Sequence, residues 1–292
     1  MGPPAVISAL PTPFDTDLEV DEPAFRELLR RLPEPHRDVL VAGTTGEFPA
    51  LTDAERVHLF RVATEELGPD RVVAHVGAAS LHQALALTAA AAELGLTRVA
   101  LLTPYYLPVE EQQVVDFFGE FSARQPGLAT YAYLFPERTG ATVTPAALAT
   151  IAGLDHVRGI KVSGSANDHL AGYRAALRAD QELYTGDDRR LLTITGVGGT
   201  GVVSGCFPVL PQPFLEAVRQ PGDAAAQPAV DRVVDVLGPS IARQKLALAR
   251  QTGRPWRARM SMPALGEEVR REIEALVNRG FRVSSGGRRP AQ

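Results

Sequence analysis

Lysine is almost missing from this 292-residue chain: of 30 basic side chains, only Lys161 and Lys245 are lysine, and the other 28 are arginine. Cysteine is scarcer still. Cys206 stands alone, which excludes an intramolecular disulfide and a cysteine-based zinc site. It lies in the apolar stretch 202–210 and reads as a small buried side chain. A basic surplus is absent too, since 30 basic against 34 acidic residues leave a net charge of −4. That balance argues against a nucleic-acid or acidic-membrane binder, which would concentrate positive charge on one face. The most apolar long window, 84–96, contains Glu93 and is too short and alanine-rich to span a bilayer. The opening MGPPAVISALPTPF lacks a basic segment followed by a continuous apolar run, so it does not read as a secretory signal, and a cytoplasmic protein is expected. The histidines (His36, His58, His75, His82, His156 and His169) form no HxH or HxxxH pair, and no metal is expected. Asp187-Asp188 could meet a cation but reads first as a polar loop, and no GxSxG nucleophile signature occurs.

What is present is the ordinary material of a globular protein, with 45% hydrophobic and 22% charged residues. Short apolar or β-branched runs recur at 5–10, 38–42, 71–76, 98–103, 129–135, 157–162, 182–185 and 201–206. Most start roughly 25–35 residues apart, the size of a βα unit. Helical patterns with start signals fill the intervals. Thr52-Asp53-Ala54-Glu55 precedes one, Ser80 precedes an alanine-rich one, and Thr144-Pro145 places proline at the favoured first position of a third. Eight strands alternating with helices predict a (β/α)₈ barrel. The doubly wound alternative would show glycines after the first strand, where Leu10-Pro11-Thr12-Pro13-Phe14 stands instead. From about Pro213 the strand signal stops, and helices are expected at 214–219, 229–250 and 265–279. The expected division is a barrel over residues 1–212, a helical extension packed on it over 213–283, and a flexible tail over 284–292, where Ser, Gly, Arg and Pro replace apolar residues.

Strand alternation in Gly159-Ile160-Lys161-Val162 puts Ile160 and Val162 on one face and Lys161 on the other, toward the barrel interior. Lysine is almost never buried without a partner, so a strand-end lysine ordinarily reaches solvent or a carboxylate. In a chain that uses arginine nearly everywhere, a second reading stands beside it: an amine whose proton can leave, which a guanidinium cannot supply. Lys245, on a charged helical stretch, is expected to be a surface or packing residue. Gly43-Thr44-Thr45-Gly46-Glu47 reads either as an ordinary βα turn or as a tight loop whose amides suit a carboxylate or phosphate, and it lacks the lysine of a P-loop. Tyr131, Tyr133 and Phe135 share one strand face, and Arg138 and the Tyr105-Tyr106 pair fall at strand ends, where barrel enzymes place their chemistry.

These segments, together with Pro136-x-Arg138-Thr139-Gly140, Gly186-Asp187-Asp188 and Gly201-Val202-Val203-Ser204, follow one another as in the dihydrodipicolinate synthase / N-acetylneuraminate lyase family. The resemblance runs from Thr12 to about Pro263. It implies a (β/α)₈ barrel with C-terminal helices, commonly a homotetramer, that forms a Schiff base between a barrel lysine and pyruvate or another 2-oxo acid. Lys161 resembles the Schiff-base lysine, Tyr133 the proton-transfer phenol, and Thr44 and Tyr106 its relay partners, with Tyr106 reaching in from a neighbouring subunit. Thr44 and Thr45 would hold the 2-oxo acid carboxylate, and Gly186 and the Val203 backbone would line the substrate. Arg138 stands where synthases bind the carboxylate of aspartate semialdehyde. No metal or organic cofactor is implied.

Leu134, Leu107 and Val162 depart from residues usual in the synthases, and Phe48-Pro49 is more reminiscent of sugar-acid lyases and dehydratases. Three readings therefore stand: a synthase-like lyase joining pyruvate and an aldehyde, an aldolase or dehydratase of 2-oxo-3-deoxy sugar acids, and a non-catalytic barrel that binds a 2-oxo acid. Where lysine-inhibited synthases hold their regulator, this chain has Ala79 and Gln83. Free lysine is accordingly expected to leave initial rates unchanged, and inhibition in a lysine titration would contradict that expectation.

Overall fold

The computed structural model describes residues 2–283 apart from Pro126 and Pro221, so the expected tail at 284–292 lies outside the described residues. Eight strands form the framework: β1 (Ala5–Ala9), β2 (Val39–Val41), β3 (Val72–His75), β4 (Arg98–Leu102), β5 (Ala129–Leu134), β6 (Val157–Val162), β7 (Glu182–Thr185) and β8 (Gly201–Ser204). All are parallel and pair in chain order. β8 returns to β1 with Ala5 opposite Gly201 and Ser8 opposite Ser204, so the sheet closes as a barrel. The (β/α)₈ expectation is met.

Between the strands run α1 (Glu22–Arg30), α2 (Asp53–Leu67), α3 (Leu81–Glu93), α4 (Glu111–Arg124), the single turn α5 (Pro136–Thr139), α6 (Pro145–Ala152) and α7 (Leu170–Ala176). Their starts follow from local chemistry. Thr52 and Glu55 form a reciprocal capping box on α2, Ser80 caps α3, and Thr144 caps α6 with Pro145 behind it. After β8 come α8 (Gln212–Arg219), α9 (Gln227–Leu237), α10 (Ile241–Thr252) and α11 (Glu267–Val283). The long helix expected over 229–250 is in fact two. Gly238 takes a left-handed φ of 51°, and Ser240 caps α10, accepting from the Arg243 amide. A proline two residues past α9 cannot continue the helix, so the chain turns there.

Alternation divides the buried side chains into two layers. Ile160, Val162, Val202 and their counterparts face outward and join Phe60, Phe118, Phe121, Phe207 and Phe214 between barrel and helices. Burying each such side chain contributes about 1.5–3 kcal/mol. Ile7, Leu40, Val73, Ala100, Tyr131, Tyr184 and Val203 face inward, one from each strand except β6. Below them the Tyr131 hydroxyl donates to Glu182 at 2.7 Å, and Arg158 binds the same carboxylate at 2.9 Å.

Two inward positions carry no side chain. A Cβ on Gly159 would strike the Glu182 carbonyl oxygen, and one on Gly201 would strike that of Ala5, both backbone atoms of the paired strand. Gly159→Ala is therefore expected to destabilise the protein by about 3 kcal/mol or to prevent folding, because backbone cannot step aside as a side chain can. A thermal melt within a degree or two of the parent would disprove this account.

Candidate active site

The rim at the C-terminal ends of the strands is built first by the loop after β2. Ala42 has φ 52° and Glu47 φ 57°, so both ends of the loop turn through the left-handed region. Gly46 fits between them because a Cβ there would lie 3.1 Å from both the Ala42 Cα and the Leu10 oxygen. The Thr12 hydroxyl donates to the Gly46 carbonyl at 2.8 Å, and the Glu47 amide to the Thr44 carbonyl at 3.1 Å. The result presents Thr44 and Thr45, both half-buried, to the barrel mouth.

Lys161 points into the barrel as alternation requires. It is 8% exposed, and it lines a small cavity with the inward apolar layer that includes Val203. Its Nζ lies 3.7 Å from the centre of the Tyr133 ring, the residue paired with it across β5 and β6. The Tyr133 hydroxyl is 3.2 Å from Thr44 Oγ1, so the amine, the phenol and the threonine hydroxyl converge as expected. Burial by itself would raise the Tyr133 pKa. The Lys161 charge and hydrogen bonds with Lys161, Thr44 and Ser163 outweigh it, and the phenol is more acidic than an ordinary tyrosine. Gly186 makes room for this cluster: its amide donates to the Val162 carbonyl at 2.7 Å, and a Cβ there would run into Ser163 Oγ and reach within 3.5 Å of Lys161 Cε.

Two expected residues stand apart. Tyr106, with φ 82°, is 89% exposed within its own chain. Arg138 is exposed on α5 with its guanidinium 5.6 Å from the Phe135 ring, and among the described residues it makes no salt bridge. Aromatic side chains enclose the rest of the mouth. Phe48 packs on His75 at 4.5 Å and edge-on to Tyr105 at 5.7 Å, while Phe135 stacks on Tyr133 at 6.2 Å. His75 is fully buried, and desolvation, then the Arg56 and Lys161 charges, push its pKa well below the usual value. Among the described residues no three His, Cys, Asp or Glu side chains gather as a metal site. Asp187 caps its own turn through the Arg189 amide, and buried Asp188 accepts from Ser204 at 2.8 Å.

Ser163 and the Glu47–Lys245 pair were not anticipated. Ser163 follows Lys161 by two and so shares its strand parity, a signal the sequence carried. Of the two expectations for Lys245, surface or packing, the structure gives the second: it is 2% exposed, and it donates to the fully buried Glu47 carboxylate and, at 2.7 Å, to the Arg257 carbonyl. Of the other basic residues on α10, Arg250 is exposed and Arg243 is half-buried, donating to the Val236 carbonyl at 3.1 Å, whereas Lys245 is buried. Burial, opposed by Glu47, brings the Lys245 pKa down to about 8.

Removing one hydroxyl tests the cluster. Thr44→Val keeps the side-chain shape and deletes a group that lowers the Tyr133 pKa, so the phenol should titrate at higher pH. Ultraviolet phenolate difference spectra referenced to Tyr133→Phe would read this, and an unmoved titration would remove Thr44 from the account.

Comparison with known proteins bears on this geometry. A model of the dihydrodipicolinate synthetase family matches residues 3–239. The 4-hydroxy-tetrahydrodipicolinate synthase of Desulforudis audaxviator is 35% identical over 201 residues, covering 68% of each chain. A dihydrodipicolinate synthase from Bacillus anthracis superposes with a TM-score of 0.85 at 25% identity, covering 94% of this chain and 97% of its own. A DHDPS from Cyanidioschyzon merolae with lysine bound gives 0.83 at 26% identity, covering 95% and 98%. With a barrel of this topology, an amine seated on a phenol at its mouth and a family match over most of its length, the chain belongs to the dihydrodipicolinate synthetase family.

Proposed function

We propose that this protein is a Schiff-base lyase that joins pyruvate to an aldehyde, with aspartate semialdehyde as the aldehyde. The observation that carries the reading is the Lys161 amine 3.7 Å from the Tyr133 ring, with the phenol hydroxyl 3.2 Å from Thr44. The Lys161 amine attacks the ketone carbon of pyruvate to give a carbinolamine. Tyr133 supplies the proton with which the hydroxyl leaves as water, and an iminium remains. The iminium draws electrons from the methyl carbon, which loses a proton to give the enamine. That carbon then attacks the aldehyde, whose oxygen takes up a proton, and water releases the product from Lys161. The iminium is itself the electron sink, so the chemistry needs neither metal nor organic cofactor. Thr44 and Thr45 hold the pyruvate carboxylate with hydroxyl and amide groups. Gly186 and the Val203 backbone line the bound acid.

Arg138 meets the carboxylate of the semialdehyde as a charge-assisted contact. Phe48, Tyr105 and Phe135 pack with Leu102 and Tyr133 around the mouth. Tyr106 completes the relay from a neighbouring subunit, which accounts for its exposure, and the working form is a homotetramer in the cytoplasm. Residues 1–212 form the catalytic barrel and 213–283 the extension upon it. Among the described residues no helix is long and apolar enough to cross a membrane.

Borohydride reduction with pyruvate should leave a covalent adduct on Lys161 by mass spectrometry, and none on Lys161→Arg. Tyr133→Phe should lower kcat by about 10²–10⁴-fold. Turnover of 2-oxo-3-deoxy sugar acids with inactivity toward aspartate semialdehyde would replace this reading with the aldolase or dehydratase one. Pyruvate binding without any adduct would replace it with a non-catalytic barrel.

A further inference from the structure

The second lysine lies under the same rim as the first. Its Nζ reaches Glu47, 198 residues away in sequence, and neither side chain is open to solvent. The Glu47 carboxylate also accepts from the Arg259 amide at 3.0 Å and the Met260 amide at 2.8 Å. All three donors come from α10 and the segment after it. The side chain that ends the Gly43–Glu47 loop is thus held entirely by the C-terminal part of the chain. Glu47 sits at φ 57°, a backbone region that a residue with a Cβ occupies only when its surroundings hold it there. One hydrogen bond, from the Glu47 amide to the Thr44 carbonyl, connects this anchor to the threonine facing Tyr133.

We propose that Lys245 is a positioning residue of the active site: its ion pair with Glu47 fixes the Gly43–Glu47 loop against the C-terminal segment, and so sets where Thr44 and Thr45 meet the 2-oxo acid carboxylate. The inference rests on the Schiff-base reading above. Arginine cannot take the position. Nζ finds two acceptors, Glu47 and the Arg257 carbonyl, beside the Phe14 ring, whose centre is 4.4 Å away. A guanidinium brings five N–H groups and would leave several buried without partners. The Arg259 guanidinium already lies 4.4 Å from the same ring centre and is held by Glu55.

The test measures the pyruvate concentration that half-saturates borohydride trapping at Lys161, on full-length variants at a temperature where circular dichroism shows them folded. Lys245→Met leaves Glu47 short of a donor. Glu47→Gln offers one acceptor oxygen where three donors converge, and it is the gentler change should Lys245→Met fail to fold. Both should raise the half-saturating concentration about 10–100-fold. Leu248→Ala, at a fully buried position on the same helix but outside the anchor, should lower the melting temperature and leave that concentration unchanged. Wild-type pyruvate dependence in Lys245→Met or Glu47→Gln overturns the proposal, as does an equal rise in Leu248→Ala. A wild-type protein that shows no adduct overturns the Schiff-base reading, and the present inference with it.

Discussion

An amine held inside a barrel, against the face of a phenol, is the arrangement on which the rest of this rim depends. Moving an ammonium out of water is costly, and a lysine so placed needs compensation from its surroundings. Here the Tyr133 ring takes up part of that burden, since a cation over an aromatic face gains roughly 0.5–2 kcal/mol. The Lys161 charge and the hydroxyls of Thr44 and Ser163 act together on the phenol oxygen and make Tyr133 more acidic than burial alone would leave it. Gly186 leaves the room this requires, and the apolar layer below keeps the lysine stem from turning away.

The Glu47–Lys245 pair belongs to a different kind of interaction. A buried ion pair contributes little net stability compared with an apolar replacement of equal volume, yet removing one partner costs roughly 3–5 kcal/mol. Such a pair tolerates few alternative arrangements. Placed between the loop after β2 and the segment after α10, it ties two stretches that no helix or strand connects. Arg259 reinforces the same junction through both oxygens of Glu55, whose pKa is lowered to about 2 chiefly by that guanidinium.

The strands were legible because parallel strands are buried on both faces and read as unbroken apolar runs. The interior direction of Lys161 was legible for a related reason: a period of two leaves no ambiguity once Ile160 and Val162 are assigned to the core. The caps at Thr52, Ser80 and Thr144 are local chemistry and were read as such. The break at Gly238 and Pro239 is equally local chemistry, a glycine at positive φ followed by a proline, yet the helix was expected to run through it. Glu47–Lys245 lay beyond reach, because nothing within either segment specifies a partner 198 residues away. The resemblance supplied roles for Tyr106 and Arg138 that the geometry of one chain does not display: Tyr106 is 89% exposed, and Arg138 reaches only the Phe135 ring that stacks on Tyr133.

Trp256 is the only tryptophan in the chain. It is 4% exposed and donates its indole N–H to Thr252 at 3.0 Å, at the point where α10 gives way to the segment that clasps Glu47. The neighbouring Arg257 pairs with Phe14 and accepts from Lys245. Nature has thus left one fluorophore at the joint between extension and barrel. Excited selectively, its emission reports the hydration of that joint without a label, against a background free of any second indole.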